Sequence, residues 1–201
     1  MRKVYITNIP LQGRGELLKV LYRPRGTELK HNRETSFPII PVIQEHREEG
    51  DETTVLAVRS NNKDTPDNYA AFLEELAALG IGGDQVEEIS VEENQSESVS
   101  LALMMKILEE IPDDSIIYAD ISFGTKPMSA ILLYAMSFVE KMKNCEVDGI
   151  YYGEIQRRDG KVADTGFYDL TMFKLLGNVI DQMKNLGISD MQAALNKLIR
   201  P

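Results

Sequence analysis

Cysteine is nearly missing from this chain. Cys145 stands alone among 201 residues, so no disulfide can close within it. With only two histidines, no Cys/His cluster has metal-ligand spacing. The chain fits a reducing cytosol, and neither a metal nor another cofactor is expected. Long apolar runs are missing as well. None approaches the ~20 residues of a membrane span, and the short run after Met1-Arg2-Lys3 leads into a strand pattern rather than a signal peptide. A cytoplasmic location is therefore expected. Basic charge is scarce: 22 Lys and Arg stand against 32 Asp and Glu, a net charge of -10. That argues against wrapping duplex nucleic acid, which needs a broad basic face. It does not exclude a small anion, which one glycine turn and one lysine can hold locally. Enzyme fingerprints are missing too. There is no Gly-x-x-x-x-Gly-Lys-Ser/Thr loop and no Gly-x-Ser-x-Gly elbow. Gly13 and Gly15 after the first strand lack the third glycine of a dinucleotide fingerprint.

What is present reads as a globular α/β protein, 43% apolar and long enough for one ordinary domain with an appendage. Strands are expected at Val4–Ile9, Thr53–Val58, Val86–Val91, Ser115–Ile121 and Val147–Tyr152, and a hairpin turn at Arg157–Gly160 should lead to a strand over Lys161–Tyr168. Helices are expected at Glu16–Tyr22, after Thr65 as N-cap with Pro66 in the first turn, after Ser96 as N-cap, over Met128–Lys143, and from Asp169 onward. Phe37–Ile43 carries Pro38 and Pro41 and reads as an edge strand or an extended approach. Alternating strands and helices imply a Rossmann-like, doubly wound, mostly parallel sheet with an antiparallel edge hairpin. The alternation stops near Asp169. We therefore read residues 1–169 as one α/β domain and 170–201 as C-terminal helices.

In such a sheet, ligands sit beyond the carboxyl ends of the strands. Three polar loops leave strand ends there: Thr7, Asn8, Pro10, Leu11 and Gln12; Ser60, Asn61 and Asn62; and Ser122, Phe123, Gly124, Thr125, Lys126, Pro127 and Met128. The third is a strand, a glycine turn and a helix start, which is an anion-binding geometry with free N–H groups and the positive end of a helix dipole. Each loop also has a plainer reading, as a tight turn or ordinary strand-end chemistry. Lys126 against the dipole is mildly unfavourable, which favours a functional role. His31 and His46 read as surface residues. Asp120, inside an apolar strand, needs partners and reads as a carboxylate that holds the loop.

The run Asp120-Ile121-Ser122-Phe123-Gly124-Thr125-Lys126-Pro127-Met128 resembles the signature of CRISPR-associated Rossmann-fold (CARF) domains, with the early loop Val4–Gln12 and the Asn-rich loop similar to their other ligand loops. The resemblance implies a homodimer that binds a cyclic oligoadenylate in a shared cleft, with cyclic tetra-adenylate the expected ring and cyclic hexa-adenylate the other, as the sensor of a type III CRISPR antiviral effector. It makes residues 1–169 the ligand-sensing domain, leaves the helices of 170–201 for dimerisation or for linking to an effector, and places phosphates on Gly124–Lys126 and adenines on the other two loops. The alternative is a metal-independent ring nuclease working by 2′-OH attack, with Lys126 and Ser122 as its catalytic residues. Many relatives carry His where this chain has Phe123.

Overall fold

The computed structural model describes residues 1–13, 17–30 and 33–199. The elements are β1 (Arg2–Asn8), α1 (Ile39–His46), β2 (Glu52–Ser60), α2 (Thr65–Ala77), β3 (Val86–Val91), α3 (Glu97–Glu110), β4 (Ile116–Asp120), α4 (Lys126–Met142), β5 (Glu146–Arg158), β6 (Lys161–Asp169), α5 (Thr171–Asn185) and α6 (Met191–Ile199). The chain divides into two compact units, Met1–Asp169 and a second beginning at Leu170.

The first unit is a Rossmann-like α/β domain. Its six strands run in the order β3-β2-β1-β4-β5-β6. The first five are parallel and β6 pairs antiparallel with β5. The central strands β1 and β4 are buried almost throughout, as their continuous apolar runs require of strands covered on both faces. On β1, Tyr5 faces a core that includes Phe37, Ile39, Val55, Phe72 and Leu76 under α1 and α2. Val4 and Ile6, also fully buried, alternate to the opposite face, where α3 and α4 pack. The hairpin turns through Asp159 (φ 53) and Gly160 (φ 74), the two left-handed positions of a tight hairpin turn.

Four local expectations are corrected. Phe37–Ile43 forms neither strand nor extended approach: α1 begins at Ile39 with Pro38 at its cap position. Both prolines lie where a helix has no use for an N–H donor, and burial of Ile39, Ile40, Val42 and Ile43 holds the segment helical. Leu17–Tyr22 is not helical. Val20 bridges Thr35 through N–H to carbonyl bonds of 3.1 and 3.0 Å in the two directions, so tertiary pairing overrides local propensity. Glu16 and His31 lie outside the described residues. Thr65 is not an N-cap acceptor but the first helical residue, and its hydroxyl donates to the carbonyls of Ser60 (2.6 Å) and Asn62 (2.8 Å). Ser96 does cap α3, accepting from Val99 N at 3.4 Å. His46 is no free surface group. Its ring stacks on Tyr118 with centroids 4.4 Å apart and its Nε2 lies 3.1 Å from the Tyr151 hydroxyl.

Of the second unit, α5 is amphipathic. Met183 is buried, whereas Met172, Phe173, Leu175 and Ile180 are exposed. No described helix is long and apolar enough to cross a membrane.

Candidate functional site

Strand order reverses between β1 and β4, which lie side by side while the chain leaves β1 toward one edge and β4 toward the other. The loops that leave their carboxyl ends are Ile9–Gly13 and Ile121–Thr125. The crevice between such loops is where an open α/β sheet takes a ligand.

Asp120 organises this end. It is fully buried and accepts from the Thr7 hydroxyl at 2.8 Å, from Ser122 N at 3.0 Å and from the Ser122 hydroxyl. Burial pushes its carboxyl up to about 6, and the bonds from Ser122 and Thr7 pull the other way. Ser122 Oγ also accepts from Gly153 N at 2.6 Å. That hydroxyl is thus spent on joining β4, β5 and the turn. Ile121 N donates to Tyr151 O at 2.9 Å, and the Phe123 carbonyl accepts from Asn8 Nδ2 at 3.0 Å. The turn is pinned at three successive residues, so the start of α4 is held rigid.

Gly124, at φ 88, carries the chain from the pinned turn into the helix. A Cβ there would come within 3.1 Å of the Asn8 amide carbon, so both the backbone conformation and the close approach require glycine. Thr125 takes the cap position of α4 without using its side chain as a cap, and no acidic residue lies in the first turn. Lys126 is exposed and Pro127 has no N–H to satisfy. The first-turn amides have no intrahelical acceptors, and the dipole adds positive potential.

Asn8 Oδ1 and Thr125 Oγ1, at this turn, are buried polar atoms without partners, and Gln12 Oε1 in the loop after β1 is another. Orientation at Asn8 is set by its neighbour. Nδ2 must face the Phe123 carbonyl, so Oδ1 is left as an acceptor. A buried polar atom without a partner costs about 1–3 kcal/mol, and such atoms at the turn suit a site completed by a ligand.

A cavity of about 120 Å³ opens beside the turn, lined among others by Leu11, Ser60, Thr125, Pro127 and Met128 and by the loop Glu92–Gln95. Members of all three sequence-predicted loops thus meet in one place. Others do not line it. Thr7 and Asn8 are buried beneath, and Pro10 and Gln12 are tied to α2 through their carbonyls, which accept from Asn68 Nδ2 at 2.8 and 3.0 Å. Asn61 and Asn62 brace the exit of β2. Asn61 Oδ1 accepts from Ser90 Oγ at 2.7 Å, and Asn62 Nδ2 donates to Glu93 Oε1 at 2.9 Å. Phe123 is half-buried. Sequence reasoning missed Asn68 and Glu92–Gln95. The acidic alternation of Val86–Val91 marked only an edge strand, and no residue type in the loop after it announced a cavity wall.

Groups of three or more metal-ligating side chains are absent among the described residues. Compared with protein-family models and with curated proteins, the chain matches none.

Proposed function

We propose that this protein binds cyclic oligoadenylate, with cyclic tetra-adenylate the preferred ring, across a homodimer, and so serves as the sensor of a type III CRISPR antiviral effector. The observation that carries the reading is the turn Ser122–Lys126: a pinned loop, a required glycine, an open helix N-terminus and an unpaired lysine at the switch point of an acidic protein. This is chemistry for phosphate. The resemblance of Asp120–Met128 to the CARF signature names the phosphate-bearing ligand.

A dimer is supported by the outer faces of α3 and α4. Leu101 and Met105 on α3 and Tyr134, Phe138 and Met142 on α4 are exposed, and the two helices pack together. Apolar stripes on neighbouring helices, one of which begins at the site, favour a partner. A ring of four identical nucleotides shares the two-fold symmetry of a homodimer, so each protomer repeats one set of contacts. The ring-nuclease alternative gains little from the geometry, because Ser122 Oγ is engaged by both Asp120 and Gly153 N.

The test is incubation with labelled cyclic tetra- and hexa-adenylate, with retention and cleavage read separately and the mass of the complex measured in solution. One intact ring per two chains is expected. Linear products would move the reading to the nuclease, and no retention of either ring would reject both.

A further inference from the structure

The cavity beside the α4 N-terminus has a polarity that phosphate binding does not call for. Leu11, Val91, Leu103 and Met128 make its floor apolar, while Glu92 and Glu93 stand at its lip. Its volume, about 120 Å³, is well below the ~300 Å³ at the lower end of pockets that enclose a whole drug-sized ligand. One flat base fits the space and a complete nucleotide does not. Thr125 Oγ1, a buried atom without a hydrogen-bond partner, also lines it.

The lip is built to accept hydrogen bonds. Glu93 Oε1 accepts from Asn62 Nδ2 at 2.9 Å, which ties this carboxylate to the exit of β2. Glu92 Oε2 accepts from Asn94 Nδ2 at 2.8 Å within its own loop. Each carboxylate is oriented by an amide and keeps further lone pairs. The two walls therefore differ in sign. Carboxylates repel a phosphate from the lip, and the Gly124–Lys126 turn attracts one. A nucleotide that put its phosphate near Lys126 and its base in the cavity would turn a base edge toward Glu93, and that edge must carry an N–H donor.

We infer that this cavity is a base pocket in which Glu93 accepts a hydrogen bond from the exocyclic amino group of an adenine. The inference rests on the ring-binding reading above and adds the segment that selects the base. A site built around an acceptor rejects an analogue without the donor, because the acceptor loses its water and gains nothing in return.

The experiment is a two-by-two comparison. Wild-type protein and Glu93→Ala are each titrated with cyclic tetra-adenylate and with the same ring carrying purine, without the 6-amino group, at every base. The wild type should prefer the adenine ring by about tenfold or more, the size of one charge-assisted hydrogen bond. Glu93→Ala should bring the two rings to within about twofold of each other. The ratio is informative even if loss of a negative charge tightens both rings equally. Equal affinities in the wild type, or an undiminished preference in Glu93→Ala, would overturn the assignment. A parallel arm tracks the methyl resonance of Met128 with adenosine monophosphate and purine riboside monophosphate. A preference there without ring binding keeps the pocket and rejects the ring, and no preference in either arm rejects the pocket.

Discussion

Two helices leave the carboxyl end of the sheet with a proline in the second position, and they differ in how their N-termini are satisfied. At α2, Thr65 donates to two carbonyls, Asp64 N donates to Asn62 Oδ1 at 3.0 Å, and Asp67 supplies an acid in the first turn. That terminus is closed by its own chain. At α4, Gly124 replaces any side chain, Thr125 Oγ1 has no partner, and a lysine stands where α2 has an acid two residues further on. Helix dipole and orphan amides are common to both. The difference is that at α2 Asp64 N and Thr65 N find acceptors on Asn62 and Asp67 opposes the dipole, whereas α4 has neither a capping side chain nor an acid in its first turn.

The largest effect expected is at Gly124. Gly124→Val would place a β-branched residue at φ 88 against the Asn8 amide. We expect a loss of about 1–3 kcal/mol in stability and of ring binding by about a hundredfold or more, since the amides would shift off their aim. Thermal melts and titration measure the two, and unchanged binding would remove the turn from the site.

Next comes Asp120, which underlies only the open terminus. Its carboxyl is held at about 6, above its usual 3.8, so ionisation costs more in the folded protein than in the unfolded one. Its contribution is complete below about pH 4 and is lost as pH rises through about 6, by about 3 kcal/mol in order of magnitude. His46, pushed down chiefly by burial, acts in the opposite sense: its contribution is complete above its ordinary pKa of 6.5 and is lost as pH falls. Denaturant midpoints from pH 4 to 8 should therefore show both slopes. Asp120→Asn should remove the loss that accompanies rising pH and leave the other slope.

Lys126→Ala should weaken ring binding by about 1.5–3 kcal/mol if the ammonium makes a charge-assisted phosphate contact, with a shallower salt dependence and an unaltered melting temperature. An affinity equal to the wild type would assign the anion to backbone amides alone. The smallest effects come from the threonines. Thr65→Ala removes the hydroxyl shared by the Ser60 and Asn62 carbonyls and should cost about 1 kcal/mol of stability without touching binding. Thr125→Ala removes a buried hydroxyl with no partner and should leave stability unchanged or raise it. If the two losses are equal, the contrast between closed and open termini fails.

Much of the fold was legible because the signals were local. Alternation marked β3 as an edge, a continuous apolar run marked β4 as central, and Asp159-Gly160 marked the hairpin. The failures share a cause. Around Pro38 and Pro41, and along Leu17–Tyr22, local propensity was set aside by burial or by pairing with a distant residue such as Thr35. The site divides in the same way. Ser122–Met128 was readable because turn, cap position and charge are contiguous. The roles of Asn61 and Asn62 as braces, of Asn68 as a tie and of Glu92–Gln95 as a wall were not, since each depends on which loop lies opposite.

By itself the sequence determined the strand–glycine–helix unit, the acidic balance that makes Lys126 conspicuous, and the strand order's raw material of alternating β and α segments. Only the tertiary structure decided that Asp120 is buried between Thr7 and Ser122, that Asn8 Oδ1 is left without a donor, and that an acidic loop faces the start of α4 across a small cavity. The reason is physical. Backbone conformation is set by neighbours in the chain, whereas burial, hydrogen-bond satisfaction and electrostatic contrast are set by neighbours in space.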